Sequence, residues 1–354
     1  MESLEQQLAK SLLWLERYDS LTQKEISVKL EIAQKEILAL VAETKNKATL
    51  QREINRIMSE AFSTFSTVLI NDDIEQISEL AWNSTNTLMS AWVAKEVADS
   101  AIKWVDVQQS TKDKILNPNR LYQGYTINDH FKHLGTQSAR KIRGIILNGY
   151  SNGLGIDEIN RDIKTTIGNV NRNQSKTLVR TVLLESIEAT KDELFETNFK
   201  GAYDSFKYSA VLDSRTSVYC RIAHNYVTTD KKTAKYQIKS HFNCRSMWIP
   251  QNDITRQYDK DNPNVNVVSW DKKTVQHRTG EKSSKFKVDT IKKVYRNASP
   301  NTVFDALTEQ SKFDYLGKKR YELYKSGKIT FKDAVDISRN SLIPVTELKK
   351  KLNL

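Results

Sequence analysis

Before residue 200 the chain contains one proline, Pro118, of five in 354 residues. Proline removes a backbone donor and breaks helices, so its absence over such a length leaves long helices free to form. The apolar residues there recur at helical spacing. Leu4, Leu8, Leu12 and Leu15 make one stripe, and Ile26, Leu30, Ala33, Ile37, Leu40 and Val41 make a second. Both predict amphipathic helices. The spacing predicts further helices over about 47–70 (Ile54, Ile57, Ala61, Phe65), 72–106 (Trp82, Trp92, Trp104), 129–147, 157–167 and 173–198 (Val179, Leu183, Ile187, Leu194). Asp157 is placed to begin the fifth of these by accepting from free backbone N–H groups.

After residue 200 the texture changes. Tyr208–Leu212, Tyr226–Thr229 and Ser246–Ile249, the last stopped by Pro250, are short β-branched or aromatic runs of strand type. Residues 251–285 are polar and predict a loop. Helical patterning returns at 301–326, 331–339 and 345–352. The expected fold is therefore mostly α with a small α+β module. Its divisions are a helical docking domain at 1–130, a helical segment at 131–200, a small α+β core at 201–250, a linker at 251–287 and a basic helical tail at 288–354.

Charge separates the two halves. Residues 1–199 hold 24 Lys/Arg against 27 Asp/Glu, while residues 200–354 hold 31 against 16. A strongly basic half favours a polyanionic partner, most simply nucleic acid. No apolar run approaches the roughly 20 residues needed to span a bilayer. The polar, acidic start has no signal-peptide core, and two cysteines are too few for a disulfide scaffold. Folding in a reducing cytoplasm is the expectation.

Those cysteines fall in the densest block of chemistry. Val211–Cys220 carries Asp213, Arg215, Thr216 and Cys220, and His241-Phe-Asn-Cys-Arg carries His241, Asn243, Cys244 and Arg245. His-x-x-Cys is a workable metal-ligand spacing, and Cys220 supplies a third soft ligand. Asp213 and His224 are candidates for a fourth. The alternatives are two buried cysteines beside a hydrogen-bonded histidine, and a Cys220–Cys244 disulfide. Asp213 and Arg215, two apart on extended chain, share a face and suit a charge-assisted pair that pins the loop. No phosphate-binding loop, dinucleotide fingerprint, nucleophile elbow or His-Glu-x-x-His appears.

Leu-Asp-x-Arg-Thr-Ser-x-x-Cys followed by His-Phe-Asn-Cys-Arg-Ser-x-x-x-Pro resembles the phage Mu F-like head morphogenesis family, the minor capsid proteins of tailed phages. Asp213, Arg215, Thr216, Cys220, His241, Asn243, Cys244, Arg245 and Pro250 carry the resemblance. Ser217 and Ser246 stand where fuller members have cysteines. The flanks at 153–159, Arg180-Thr181 and 313–333 are similar to the family's helical segment and tail, so the resemblance covers about 135–345. It implies a non-enzymatic minor head protein, made in the host cytoplasm and built into the procapsid beside the portal. Its final place would be the head interior or portal vertex. The implied partners are the portal protein, capsid or scaffold proteins and packaged double-stranded DNA. One structural zinc on Cys220, His241 and Cys244 is the candidate cofactor. Asp213, Arg215, Thr216, Asn243 and Arg245 form the structural motif.

Lys272, Lys273, Lys292, Lys293, Lys318, Lys319 and Arg320 are the candidate nucleic-acid contacts in the basic half. The alternative function is a nuclease or toxin-like enzyme centred on Asp213, Arg215 and His241. A DNA-reading regulator is disfavoured, since Pro344 breaks the turn that such an element needs.

Overall fold

The computed structural model describes residues 4–15, 18, 20–43, 46–94, 109–212, 216–261, 264–276, 282–295 and 298–352. Trp104, Asp213 and Arg215 lie outside the described residues. The chain divides into two units: a helical one, Lys10–Lys200 with His241–Asn243, and a mixed one, Met1–Ala9 with Gly201–Ser240 and Cys244–Leu354.

Helices α1 (Leu4–Leu15), α2 (Leu21–Glu43), α3 (Lys47–Phe62) and α4 (Phe65–Val68) follow one another with short breaks, and a π-helical turn at Leu69–Ile74 leads into α5 (Glu75–Ala94). The predicted stripes are buried at Leu4, Leu8, Leu12 and Leu15 on α1 and at Ile26, Leu30, Ala33, Ile37 and Val41 on α2, while Leu40 is half-buried. After α6 (Gln109–Ile115), strands β1 (Leu121–Tyr122) and β2 (Tyr125–Thr126) form a minimal hairpin. Then come α7 (Ile127–Ser151), α8 (Ile156–Thr165), a second π turn and α9 (Arg172–Asn198). Helix α7 packs on α3, α9 on α5, and α2 on α3 and α9.

One helix start differs from expectation, and another is completed from far along the chain. Gly155, not Asp157, is the N-cap of α8, and Asp157 lies in the first turn, where a carboxylate meets the positive helix end. The start of α2 is held by Ser20, which accepts the Gln23 N–H at 3.2 Å, and by a second cap about fifty residues away. The buried Asp73 carboxylate accepts the Leu21 and Thr22 N–H groups at 2.9 and 3.0 Å and the Ser20 hydroxyl at 2.5 Å. It thus satisfies donors that a helix start leaves unpaired. Gly149 marks a close approach of α7 and α8, since a β-carbon there would stand 2.5 Å from Cγ1 of buried Ile159.

In the mixed unit β3 (Ser205–Ser209), α10 (Val218–Ala223), β4 (Val227–Thr228) and β5 (Met247–Gln251) build a three-stranded antiparallel sheet in the order β4-β3-β5. Pro250 does not stop the third strand. It pairs opposite Phe206 on β5, an edge strand, where a missing N–H is tolerated. The expected loop after it is structured: α11 (Asp253–Asp261) precedes a long ribbon of β6 (Asn264–Gln276) and β7 (Lys282–Tyr295).

The tail is broken more finely than its periodicity suggested. The helix expected over 301–326 is three: α12 (Pro300–Asp305), α13 (Glu309–Leu316) and α14 (Lys318–Lys325). Thr308 caps α13 by accepting from the Ser311 N–H, and Gly317 separates the last two at φ +71°, a region side chains disfavour. The helix expected over 331–339 is a single 3₁₀ turn at Lys332–Ala334 followed by the hairpin β8 (Val335–Asp336) and β9 (Ser341–Leu342); α15 (Val345–Lys351) ends the chain's regular structure. Tyr208, Leu212, Val218 and Trp248 share one hydrophobic core with Val303, Phe304, Leu316, Phe331 and Leu348. The segments at 201–250 and 288–354, divided in the sequence analysis, therefore bury their apolar faces together.

Candidate functional site

Cys220 sits in the first turn of α10. That helix starts where Ser217, its N-cap, accepts the Cys220 N–H at 3.2 Å. Cys244 lies on the loop before β5. The loop turns through two residues with left-handed backbone, Lys239 (φ +57°) and Asn243 (φ +57°). Lys239 closes it by donating from Nζ to the carbonyls of Cys244 and Ser246 at 3.0 and 3.1 Å.

The two sulfurs are 3.8 Å apart and buried, and no disulfide joins them. Cys220, His241 and Cys244 each place one ligand atom within 4.8 Å of the others. The three residues that the sequence grouped are thus brought together. The imidazole Nδ1 lies 2.9 Å from the Phe242 carbonyl. In the tautomer that donates there, Nε2 is the bare nitrogen, which is how ligating histidines are commonly held.

The surroundings fit a soft divalent ion such as zinc. Each sulfur accepts a hydrogen bond from a fixed donor: the Tyr208 hydroxyl reaches Cys220 Sγ at 3.3 Å, and the Lys239 N–H reaches Cys244 Sγ at 3.3 Å. Such bonds stabilise sulfur that carries negative charge. The bond with Cys244, reinforced by burial, drives the Cys220 thiol far above its ordinary range, and burial does the same to the Tyr208 phenol. Without a cation the Cys220 thiol keeps its proton at neutral pH; a cation would replace that proton. Of the proposed fourth ligands, His224 accepts the Ala210 N–H on Nδ1 at 3.2 Å, and Asp213 is outside the described residues. The described histidines, cysteines and carboxylates supply three ligands.

The motif residues have structural partners. Thr216 Oγ1 donates to the Val211 carbonyl, Asn243 donates its N–H to Thr181 Oγ1 at 2.9 Å, and Arg245 is buried. The Asn243–Thr181 bond brings together two parts of the sequence pattern that lie 62 residues apart.

Among the candidate nucleic-acid contacts, Lys318 and Lys319 are exposed at the start of α14. Arg320 is engaged inside the fold, donating from Nε to the Ile343 carbonyl at 2.8 Å and from Nη1 to the Leu316 carbonyl at 3.2 Å. Lys272, Lys273, Lys292 and Lys293 lie on the β6–β7 ribbon.

Three structural contributors escaped the sequence analysis: Tyr208, Lys239 and Arg221. The buried Arg221 guanidinium lies over the rings of Tyr315 and Phe304 at 4.3 and 5.5 Å. The helical unit also holds a cleft of about 470 Å³ beside His130, His133, Gln137, Asn173, Thr177 and Phe242, which no motif in the sequence marks.

Residues 140–249 match the family model described as Phage Mu protein F like protein. The match contains α8, α9, β3, α10, β4, the first three residues of β5 and the Cys220–His241–Cys244 cluster, and bears out the family resemblance over that span. No curated protein and no solved structure matches the chain. Among the described residues no helix is long and apolar enough to cross a membrane.

Proposed function

We propose that this chain is a non-enzymatic minor head protein of a tailed phage, incorporated into the procapsid near the portal, with its basic half contacting packaged duplex DNA. The observation that carries the reading is the Mu F-like match at 140–249, with the Cys-His-Cys cluster folded inside it. A family resemblance of this kind points to head morphogenesis. In this reading Cys220, His241 and Cys244 hold one zinc ion, which ties α10 to the loop before β5 and serves as a staple rather than a reaction centre. The surplus of basic residues after 200 supports sequence-independent attraction to the phosphate backbone.

Quantitative mass spectrometry of DNA-filled heads tests the reading. A few copies per head, lost when the portal is deleted, is the expected result. Absence from heads, with the protein free in the lysate, would overturn it.

A further inference from the structure

The β6–β7 ribbon lies outside the family match at 140–249. Its strands run 13 and 14 residues, about 40 Å of ladder at ~3.3 Å per residue. Among the described residues no third strand pairs with either edge, and its main tertiary neighbour is α13, alongside β6. A two-stranded ribbon of this kind has little independent stability in water and gains from a partner.

Its composition says which kind of partner. Residues 271–276 and 282–287 hold Lys272, Lys273, Lys282, Lys285 and Lys287 against one acidic residue, Asp271. The register sets Lys273 directly opposite Lys285, a like-charge pair that opposes strand pairing unless an anion neutralises it. Lysines on open edges also disfavour addition of another protein's strand. Trp270 and Phe286 stand among these lysines along the two strands, with Lys272 paired in register to Phe286.

We infer that the distal half of the β6–β7 ribbon is a nucleic-acid-binding arm that lies in a groove of duplex DNA and neutralises phosphates on either side. A two-stranded ribbon has the width the major groove admits. Contact with the backbone requires no base reading, as suits DNA of any sequence. The inference rests on the head-protein reading, in which packaged duplex is the partner. It adds Lys282, Lys285 and Lys287 to the contacts proposed from sequence, and it makes the ribbon, rather than α14 or α15, the principal site.

The test is binding of the full-length protein to a 30-base-pair duplex by fluorescence anisotropy between 50 and 200 mM salt. The K272Q/K273Q/K285Q/K287Q variant should bind tenfold or more weakly at 150 mM, with a salt slope smaller by about 3–4. The corresponding four-arginine variant should bind within about threefold of the natural protein, and so should K349Q/K350Q/K351Q, which removes three exposed charges from α15. Unchanged binding by the four-glutamine variant would overturn the inference; if that variant were also lost from heads, the ribbon would be a protein-docking arm. Failure of the natural protein to bind duplex at 50 mM salt would overturn it too. The head-protein reading would still be decided separately, by mass spectrometry of heads.

Discussion

The Arg221 guanidinium lies 4.3 Å from the centre of the Tyr315 ring, joining a helix inside the family-matched span to one 66 positions beyond its end. Phe304 and Phe331 complete this contact, their rings stacked at 4.5 Å and nearly parallel. The matched segment therefore does not close its own core. Elements α12 to α15 supply the other wall.

Removing that wall should unfold the mixed unit. Phe331→Ala deletes a fully buried ring and should cost about 3–5 kcal/mol. Denaturant melts should show the loss as a lower midpoint. Expression of residues 201–297 alone should give a chain without a cooperative transition. A folded, cooperative 201–297 fragment would contradict the shared core.

The Cys220 thiol sets a signed dependence on pH. Its folded-state pKa, raised above the ordinary thiol value, means that the unfolded chain loses this proton first, above about pH 8.5. Metal-free protein should therefore lose stability as pH rises from 7 to 9.5. Zinc-loaded protein should not, because its sulfurs are already deprotonated. Zinc affinity should fall as pH drops, about tenfold per pH unit for each thiol proton displaced. Thermal melts of both forms, with elemental analysis showing about one zinc per chain, check this. Protein that is folded, reduced and free of metal after purification in zinc would remove the staple from the proposal.

Asp73 makes a separate prediction in the helical unit. Asp73→Ala strips three hydrogen bonds from the start of α2 and leaves buried donors unpaired, costing about 2–3 kcal/mol. Hydrogen exchange should show the Leu21 and Thr22 amides losing protection before the rest of α2. Equal protection in the variant would show that Ser20, which also accepts the Gln23 N–H, suffices as the cap.

Much of this was legible from local pattern. The stripes on α1 and α2 are buried as spaced, and Cys220, His241 and Cys244 meet as their grouping suggested. What escaped depends on distant partners. Asp73 caps a helix fifty residues earlier, which periodicity cannot register. Pro250 reads as a terminator until the sheet order puts it on an edge. The polar composition of 251–285 concealed a ribbon, because the segment lacks the regular apolar alternation by which a strand is read from sequence. Lys239 and Tyr208 approach the sulfurs only once the loop and the sheet are folded.

The ribbon leaves and re-enters the mixed unit at one place, with Asn264 paired to Tyr295. An excursion whose two ends meet imposes no length on the rest of the chain. It can be extended, shortened or exchanged without re-threading the core, because the closure is already made at its base.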